Sequence, residues 1–221
     1  APGFNKFLSQ VTKENGALFI FDEVLTGFRV SSAGYWGFAA PEDGSWIPDL
    51  FTFGKVIGGG MPMAALGGKR QVMESLAPTG PVYQAGTLSG NPIAVAAGLA
   101  TLKVADASVY RAIDQRSAQL QAELKSAFDA AGVDHSIQTA GNLFSVAFGT
   151  SQAGVHNYAD IKASQTFRYN AFFHSMLNSG VYLPPSAFEA WFLSASHDDA
   201  AMDLIFSALP DAAQAAAAAT A

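Results

Sequence analysis

The sequence predicts an α/β fold, with a mainly parallel sheet in the first half of the chain and a smaller α+β domain after it. Three observations carry that reading. Ala17-Leu18-Phe19-Ile20-Phe21 is a short, wholly apolar run of strand formers, and Asp49-Leu50-Phe51-Thr52-Phe53 is a second run of the same kind. Runs without polar alternation suit interior strands of a parallel sheet, covered by helices on both faces. Near Asp106 the character changes from small and apolar to polar and amphipathic, which places a domain boundary there and divides the chain into residues 1–105 and 106–221.

Taken in order, Phe4 to Glu14 reads as a helix that feeds the first strand. The second strand follows at residues 49–53 and a third at Pro62 to Leu66, then a helix from about Arg70 to Leu76. Residues 78–92 carry Pro78, Gly80, Pro81, Gly86, Gly90 and Pro92, the composition of a long ordered loop. Asn91-Pro92 pairs a capping residue with a first-turn proline and opens a small-residue helix to about Val104. An amphipathic helix spans about Val109 to Ala131 and closes at Gly132. Strands are predicted at Ile137–Thr139 and Leu143–Phe148, and one helix over Tyr158–Asn178. Two short strands follow near Val181–Leu183 and Trp191–Ala195. A last helix opens at Asp198-Asp199, whose carboxylates suit a helix N-terminus. The alanine-rich end, Ala212 to Ala221, reads as a fraying helix or tail.

Composition narrows the function. The 221 residues are 50% apolar and 14% charged, an ordinary globular balance. Asp and Glu number 18 against 12 Lys and Arg, a net charge of −6, which argues against non-specific binding to nucleic acid. The chain has no cysteine, which excludes disulfides and thiolate metal sites and fits a reducing cytoplasm. No apolar stretch approaches the roughly 20 residues that span a bilayer. The start, Ala1-Pro2-Gly3-Phe4-Asn5-Lys6, has no initiator Met and no signal-peptide pattern, and reads as an internal cut.

Candidate chemistry sits where the strands end, because ligands of open α/β sheets bind beyond the carboxyl ends of the strands. Asp22 and Lys55 both follow apolar strands. They are 33 positions apart (55 − 22), room for a crossover between neighbouring strands. An acid and an amine in one crevice suit pyridoxal phosphate, whose protonated ring nitrogen needs a carboxylate and whose aldehyde needs a lysine. The residues alone leave other readings open: Asp22-Glu23 also looks like a cap or solvated turn, and Lys55 like a surface lysine. Gly58-Gly59-Gly60 is no Walker loop, since Lys55 precedes the glycines. His135, His156, His174 and His197 show no metal-ligand spacing. Arg29 is a candidate for a substrate carboxylate or an ordinary ion pair.

The residues Phe21-Asp22-Glu23-Val24-Leu25-Thr26-Gly27-Phe28-Arg29 resemble the aspartate segment of the class III aminotransferases. Pro48-Asp49-Leu50 and Phe53-Gly54-Lys55-Val56-Ile57-Gly58-Gly59-Gly60-Met61-Pro62 resemble their lysine segment. The resemblance implies a fold-type I pyridoxal-phosphate-dependent transferase: the end of the large cofactor domain plus the small C-terminal domain. It implies pyridoxal 5′-phosphate, or its amine form, as cofactor, with a Schiff base on Lys55, Asp22 at the ring nitrogen and Val24 against the ring. Gly86 and Thr87 are similar to a loop that reaches the phosphate in the partner subunit of a homodimer, with Tyr83 and Gln84 beside it. Glu189 is similar to a glutamate near the substrate amine.

Within the family, Gly80 to Pro92, Val155-His156-Asn157-Tyr158 and Leu183 to Ala190 favour members that move an amino group between adjacent carbons of one small molecule. The implied substrate is glutamate-1-semialdehyde and the product 5-aminolevulinate, the tetrapyrrole precursor. Transfer between two separate substrates, such as an ω-amino acid and a keto acid, is the alternative, and a silent interaction domain a further one. The chain departs from the family pattern at residues 38–46, a predicted surface insertion, and at Trp191, which would narrow the pocket if it points inward. The family's phosphate cradle and ring-stacking aromatic lie upstream of the aspartate segment, so the chain is expected to be a truncated form, inactive by itself.

Overall fold

The computed structural model describes residues 3–39, 45–150 and 154–221. The chain divides into two compact units, residues 1–110 and 111–221.

In the first unit, α1 (Phe4–Glu14) leads to β1 (Ile20–Asp22), and β2 (Leu50–Phe53) pairs with β1 in parallel, with Ile20 opposite Leu50, Phe21 opposite Phe51 and Asp22 opposite Thr52. The long connection between them permits this, since a parallel pair needs a crossover of roughly a dozen residues or more. β3 (Ala65–Gly68) pairs antiparallel to β2, giving the order β1-β2-β3. The expected third strand is therefore corrected: it starts at Ala65 rather than Pro62 and runs the other way. A 3-10 turn at Lys55–Gly58 and the bends after it return the chain directly, too briefly for a crossover. Pro62, with no N–H to give a ladder, stays in the bend.

The interior of this unit is aromatic. Trp46 lies 5.5 Å from Phe21 and 6.3 Å from Phe19, centroid to centroid, and is only 5% exposed. The expected surface insertion thus ends in core at Trp46, while residues 40–44 of that stretch lie outside the described residues. The expectation of a first strand buried on both faces also needs correcting. Leu18 and Ile20 are 54% and 55% exposed while Phe19 is buried, so one face of the run is uncovered. α2 (Gly34–Ala39) and α3 (Arg70–Met73) are short. α4 (Pro92–Val104) begins as its sequence signal predicts, with the Asn91 side chain accepting from the Ile93 and Ala94 amides at 3.0 and 3.2 Å.

In the second unit the body of α5 (Ala107–Ala130) is followed by an antiparallel pair, β4 (His135–Ala140) and β5 (Leu143–Phe148), whose register runs from His135 opposite Phe148 to Ala140 opposite Leu143. α6 (Tyr158–Lys162), α7 (Thr166–Asn178) and α8 (Asp199–Ala218) complete it. Leu124 and Phe128 of α5, Phe148 of β5, Phe172 and Met176 of α7 and Leu209 of α8 form one apolar core. Among the described residues no single helix is long and apolar enough to cross a membrane.

Three expectations are corrected here. The helix predicted over 158–178 is broken between α6 and α7. The Ser164 hydroxyl bonds back to the Ile161 carbonyl at 2.6 Å, and the Gln165 amide donates to Phe148 O at 2.9 Å instead of along a helix. Val181–Leu183 and Trp191–Ala195 form no strands; an isolated bridge joins Trp191 to Phe144. Their apolar residues Val181, Leu183, Trp191 and Leu193 are buried as core-facing loop, so the alternation reflects packing without a ladder. The alanine-rich end is ordered helix as far as Ala218, with Ala212, Ala213 and Ala216 buried. Arg168 donates to the Ala216 and Ala217 carbonyls at 2.6 and 2.8 Å, satisfying groups a helix end leaves open.

Candidate active site

The carboxyl edge of β1 and β2 gathers the side chains of interest. Asp22 ends β1 and is exposed, while the next residue, Glu23, is 1% exposed. Alternation along an extended backbone sends the two carboxylates to opposite sides. Glu23 accepts from the amides of Tyr35 and Trp36 at 2.9 and 2.7 Å and from the Thr26 hydroxyl. It thereby satisfies open N–H groups at the start of α2. Gly34 is required beside it: its φ is 67°, and a Cβ there would lie 2.6 Å from Glu23 Oε1.

Asp22 is held differently. Its Oδ1 accepts both the Val24 amide at 2.9 Å, a local turn bond, and the Thr52 hydroxyl at 3.1 Å. No hydrogen bond among the described residues engages Oδ2. Thr52 is three residues before Lys55, so the two strands bring Asp22 and Lys55 to the same edge of the sheet.

Lys55 is exposed, and its ammonium forms no hydrogen bond or ion pair among the described residues. Its backbone is left-handed, φ 46°, a strained state for a residue with a Cβ. Packing holds it there. Ile57, in the same 3-10 turn, is buried, and its carbonyl abuts Gly98 of α4, where a Cβ would lie 2.0 Å from the Ile57 oxygen. The small-residue character of α4 thus has a use: it lets a helix seat against backbone.

Beside this edge lies a cleft of about 640 Å3 whose walls include Val24, Thr52, Gln84, Gly86 and Thr87. That volume is in the range of small-molecule and cofactor sites. Gly86 and Thr87 border this cleft and are exposed. Tyr83 is 83% exposed. Burial pulls the Arg29 guanidinium below its usual range. Glu189 belongs to the second unit, where it is exposed and borders a separate cavity of about 530 Å3 with Trp191 and His197. Trp191 is buried and stacks on Phe172 at 6.3 Å, so its ring serves the core. Thr52, Gly98 and the anchoring role of Glu23 escaped the sequence reading; a hydroxyl residue three before Lys55 was the one available signal.

A carboxylate oxygen and an amine, both unengaged, at adjacent strand ends beside an apolar-walled cleft suit a flat ring that carries a basic nitrogen and an aldehyde. Comparison with known proteins bears on the family of the chain. The chain is 59% identical over 216 residues to glutamate-1-semialdehyde 2,1-aminomutase of Cutibacterium acnes, covering 98% of this chain and 49% of that protein. Among solved structures it resembles a β-phenylalanine aminotransferase of Variovorax paradoxus (29% identity, TM-score 0.79, covering 96% of this chain and 47% of that one). At the level of fold it also resembles a glutamate-1-semialdehyde aminomutase of Pseudomonas aeruginosa solved with PMP (24% identity, TM-score 0.81, covering 96% and 48%). The chain spans about half the length of these relatives. The family model of the class-III aminotransferases matches residues 1–209, and the chain belongs to that family.

Proposed function

We propose that this chain carries the acid and lysine of a pyridoxal 5′-phosphate site, and that the protein containing it converts glutamate-1-semialdehyde to 5-aminolevulinate by intramolecular amino transfer. The observation that carries the proposal is that Asp22 ends β1 and Lys55 follows β2, its parallel neighbour, with the lysine's amine unengaged among the described residues. The 59% identity to a glutamate-1-semialdehyde 2,1-aminomutase supports the choice of reaction.

When bound, the cofactor supplies an electron sink for a carbanion next to nitrogen. The chain's own residues do the rest. Asp22 Oδ2 would accept from the ring nitrogen and favour its charged form. Lys55 would hold the aldehyde through its amine and would carry a proton between the two adjacent substrate carbons. Val24 gives the ring a stiff β-branched wall. Gly86 and Thr87 would serve the phosphate of the partner subunit's cofactor in a homodimer, with Tyr83 and Gln84 lining that cleft and Tyr83 toward the substrate; sedimentation of the holoenzyme tests the dimer. In this reading residues 1–105 are the C-terminal part of the large cofactor domain and 106–221 the small domain.

The test uses the protein containing this chain, loaded with cofactor. Lys55→Ala abolishes the lysine-linked visible band; survival of the band assigns the cofactor to another lysine. The wild-type protein yields 5-aminolevulinate from the semialdehyde without added keto acid. A strict need for a keto acid would favour transfer between two substrates, the reaction class named for the Variovorax relative.

A further inference from the structure

We propose that Thr52 is a positioning residue, one that sets the rotamer of the Asp22 carboxylate so that a single oxygen faces the cofactor ring. The inference rests on the reading of Asp22 and Lys55 just given and concerns how the acid is held. Asp22 is exposed, and an exposed aspartate on its own swings between rotamers at little cost. Two donors remove that freedom. The Val24 amide and the Thr52 hydroxyl converge on the same atom, Oδ1, at 2.9 and 3.1 Å. Oδ1 is thereby occupied and Oδ2 left for an incoming N–H.

The two donors differ in what they can achieve. The Val24 amide is two residues along the chain and follows Asp22 wherever the turn moves. Thr52 is a separate strand's residue, paired opposite Asp22 in the register of β1 with β2. Its χ1 is stiff because Cβ is branched, so its hydroxyl is a fixed post. It also ties the acid to the strand that carries Lys55 three residues later, and it lines the cleft beside Val24. One side chain thus couples the carboxylate end of the site to the amine end. A valine has the shape of threonine without the donor, and a serine has the donor without the methyl.

The experiment compares Thr52→Val and Thr52→Ser with wild type in the cofactor-loaded protein. Three readouts are taken: the dissociation constant for pyridoxal 5′-phosphate, the pH dependence of the bound cofactor's visible absorbance, and the thermal midpoint of the cofactor-free protein. The expected result for Thr52→Val is roughly tenfold weaker binding, the scale of a hydrogen bond to a charged group. Its absorbance–pH profile is displaced, while the thermal midpoint of the cofactor-free protein stays near wild type, since valine favours strands. Thr52→Ser restores the profile. A Thr52→Val protein with wild-type affinity and profile overturns the proposal, as does a serine variant that behaves like valine. Should Thr52→Val fail to fold, the serine variant decides through its profile. The Lys55→Ala control separates the two levels. If its visible band persists, the underlying site reading fails; if the band is lost while Thr52→Val is unchanged, only the role of Thr52 fails.

Discussion

Replacing Gly98 by alanine tests the packing that holds the Lys55 turn. A Cβ there would lie 2.0 Å from the Ile57 carbonyl oxygen and 3.2 Å from Met63 Sδ. Close carbon–oxygen contacts in proteins settle near about 3.3 Å, so α4 or the turn must move by more than about 1 Å. Met63 can swing aside; the Ile57 carbonyl is backbone of a buried turn and cannot. In a helix interior alanine is favoured over glycine by about 1 kcal/mol. Overpacking costs about 1–3 kcal/mol, and a backbone obstacle puts this site at the upper end. The net loss is about 2 kcal/mol, which lowers the melting temperature by roughly 4–8 °C for a chain of this size. Circular dichroism on heating reads the shift, and pyridoxal phosphate retention weakens with it as Lys55 is displaced. A melting temperature equal to or above wild type would show the helix-propensity gain unopposed, and would refute the seating of α4 on the Lys55 turn.

Other perturbations follow from the same contacts. Lys55→Gly relieves a left-handed backbone with a Cβ, raising stability by about 1 kcal/mol in a urea titration while cofactor retention is lost; an unchanged or lower midpoint would deny the strain. Glu23→Gln turns an N–H toward donors that now meet a carboxylate, costing about 2 kcal/mol in the thermal midpoint; no loss would make Glu23 a solvated turn residue. Burial raises the Tyr169 phenol well above its usual value. Because the folded value is the higher one, that contribution is present below the unfolded value of about 10 and is lost as pH climbs above it. Tyr169→Phe flattens this alkaline dependence and costs about 1 kcal/mol at neutral pH through the lost 2.7 Å bond to Pro184 O; an unaltered alkaline slope would clear Tyr169.

Local signals in the sequence located elements well where one residue fixes a boundary. Asn91 before Pro92 started α4, Asp198 capped α8 through the Ala201 amide, and Gly132 followed α5. Apolar runs located β1 and β2 because their residues face a packed interior on at least one side. What failed depended on distant partners. Alternating Val181 and Leu183 looks like a strand, yet among the described residues no neighbouring strand offers a ladder. Alanine is mute about burial, and only packing decides that Ala212 and Ala216 are core. At the candidate site, Asp22 and Lys55 stood out because they end strands. Thr52 and Gly98 were invisible because their roles reside in a register and in a helix contact.

The two acids at the end of β1 are neighbours in sequence, and they perform opposite services because an extended chain turns over at every step. A one-residue insertion or deletion just before Asp22 would therefore exchange their assignments, pushing a solvent-side acid inward and pulling the anchor of α2 out. The loops on either side can change length, but this dipeptide is locked to its frame, and a length change at Phe21–Asp22 is expected to end both folding and cofactor capture at once.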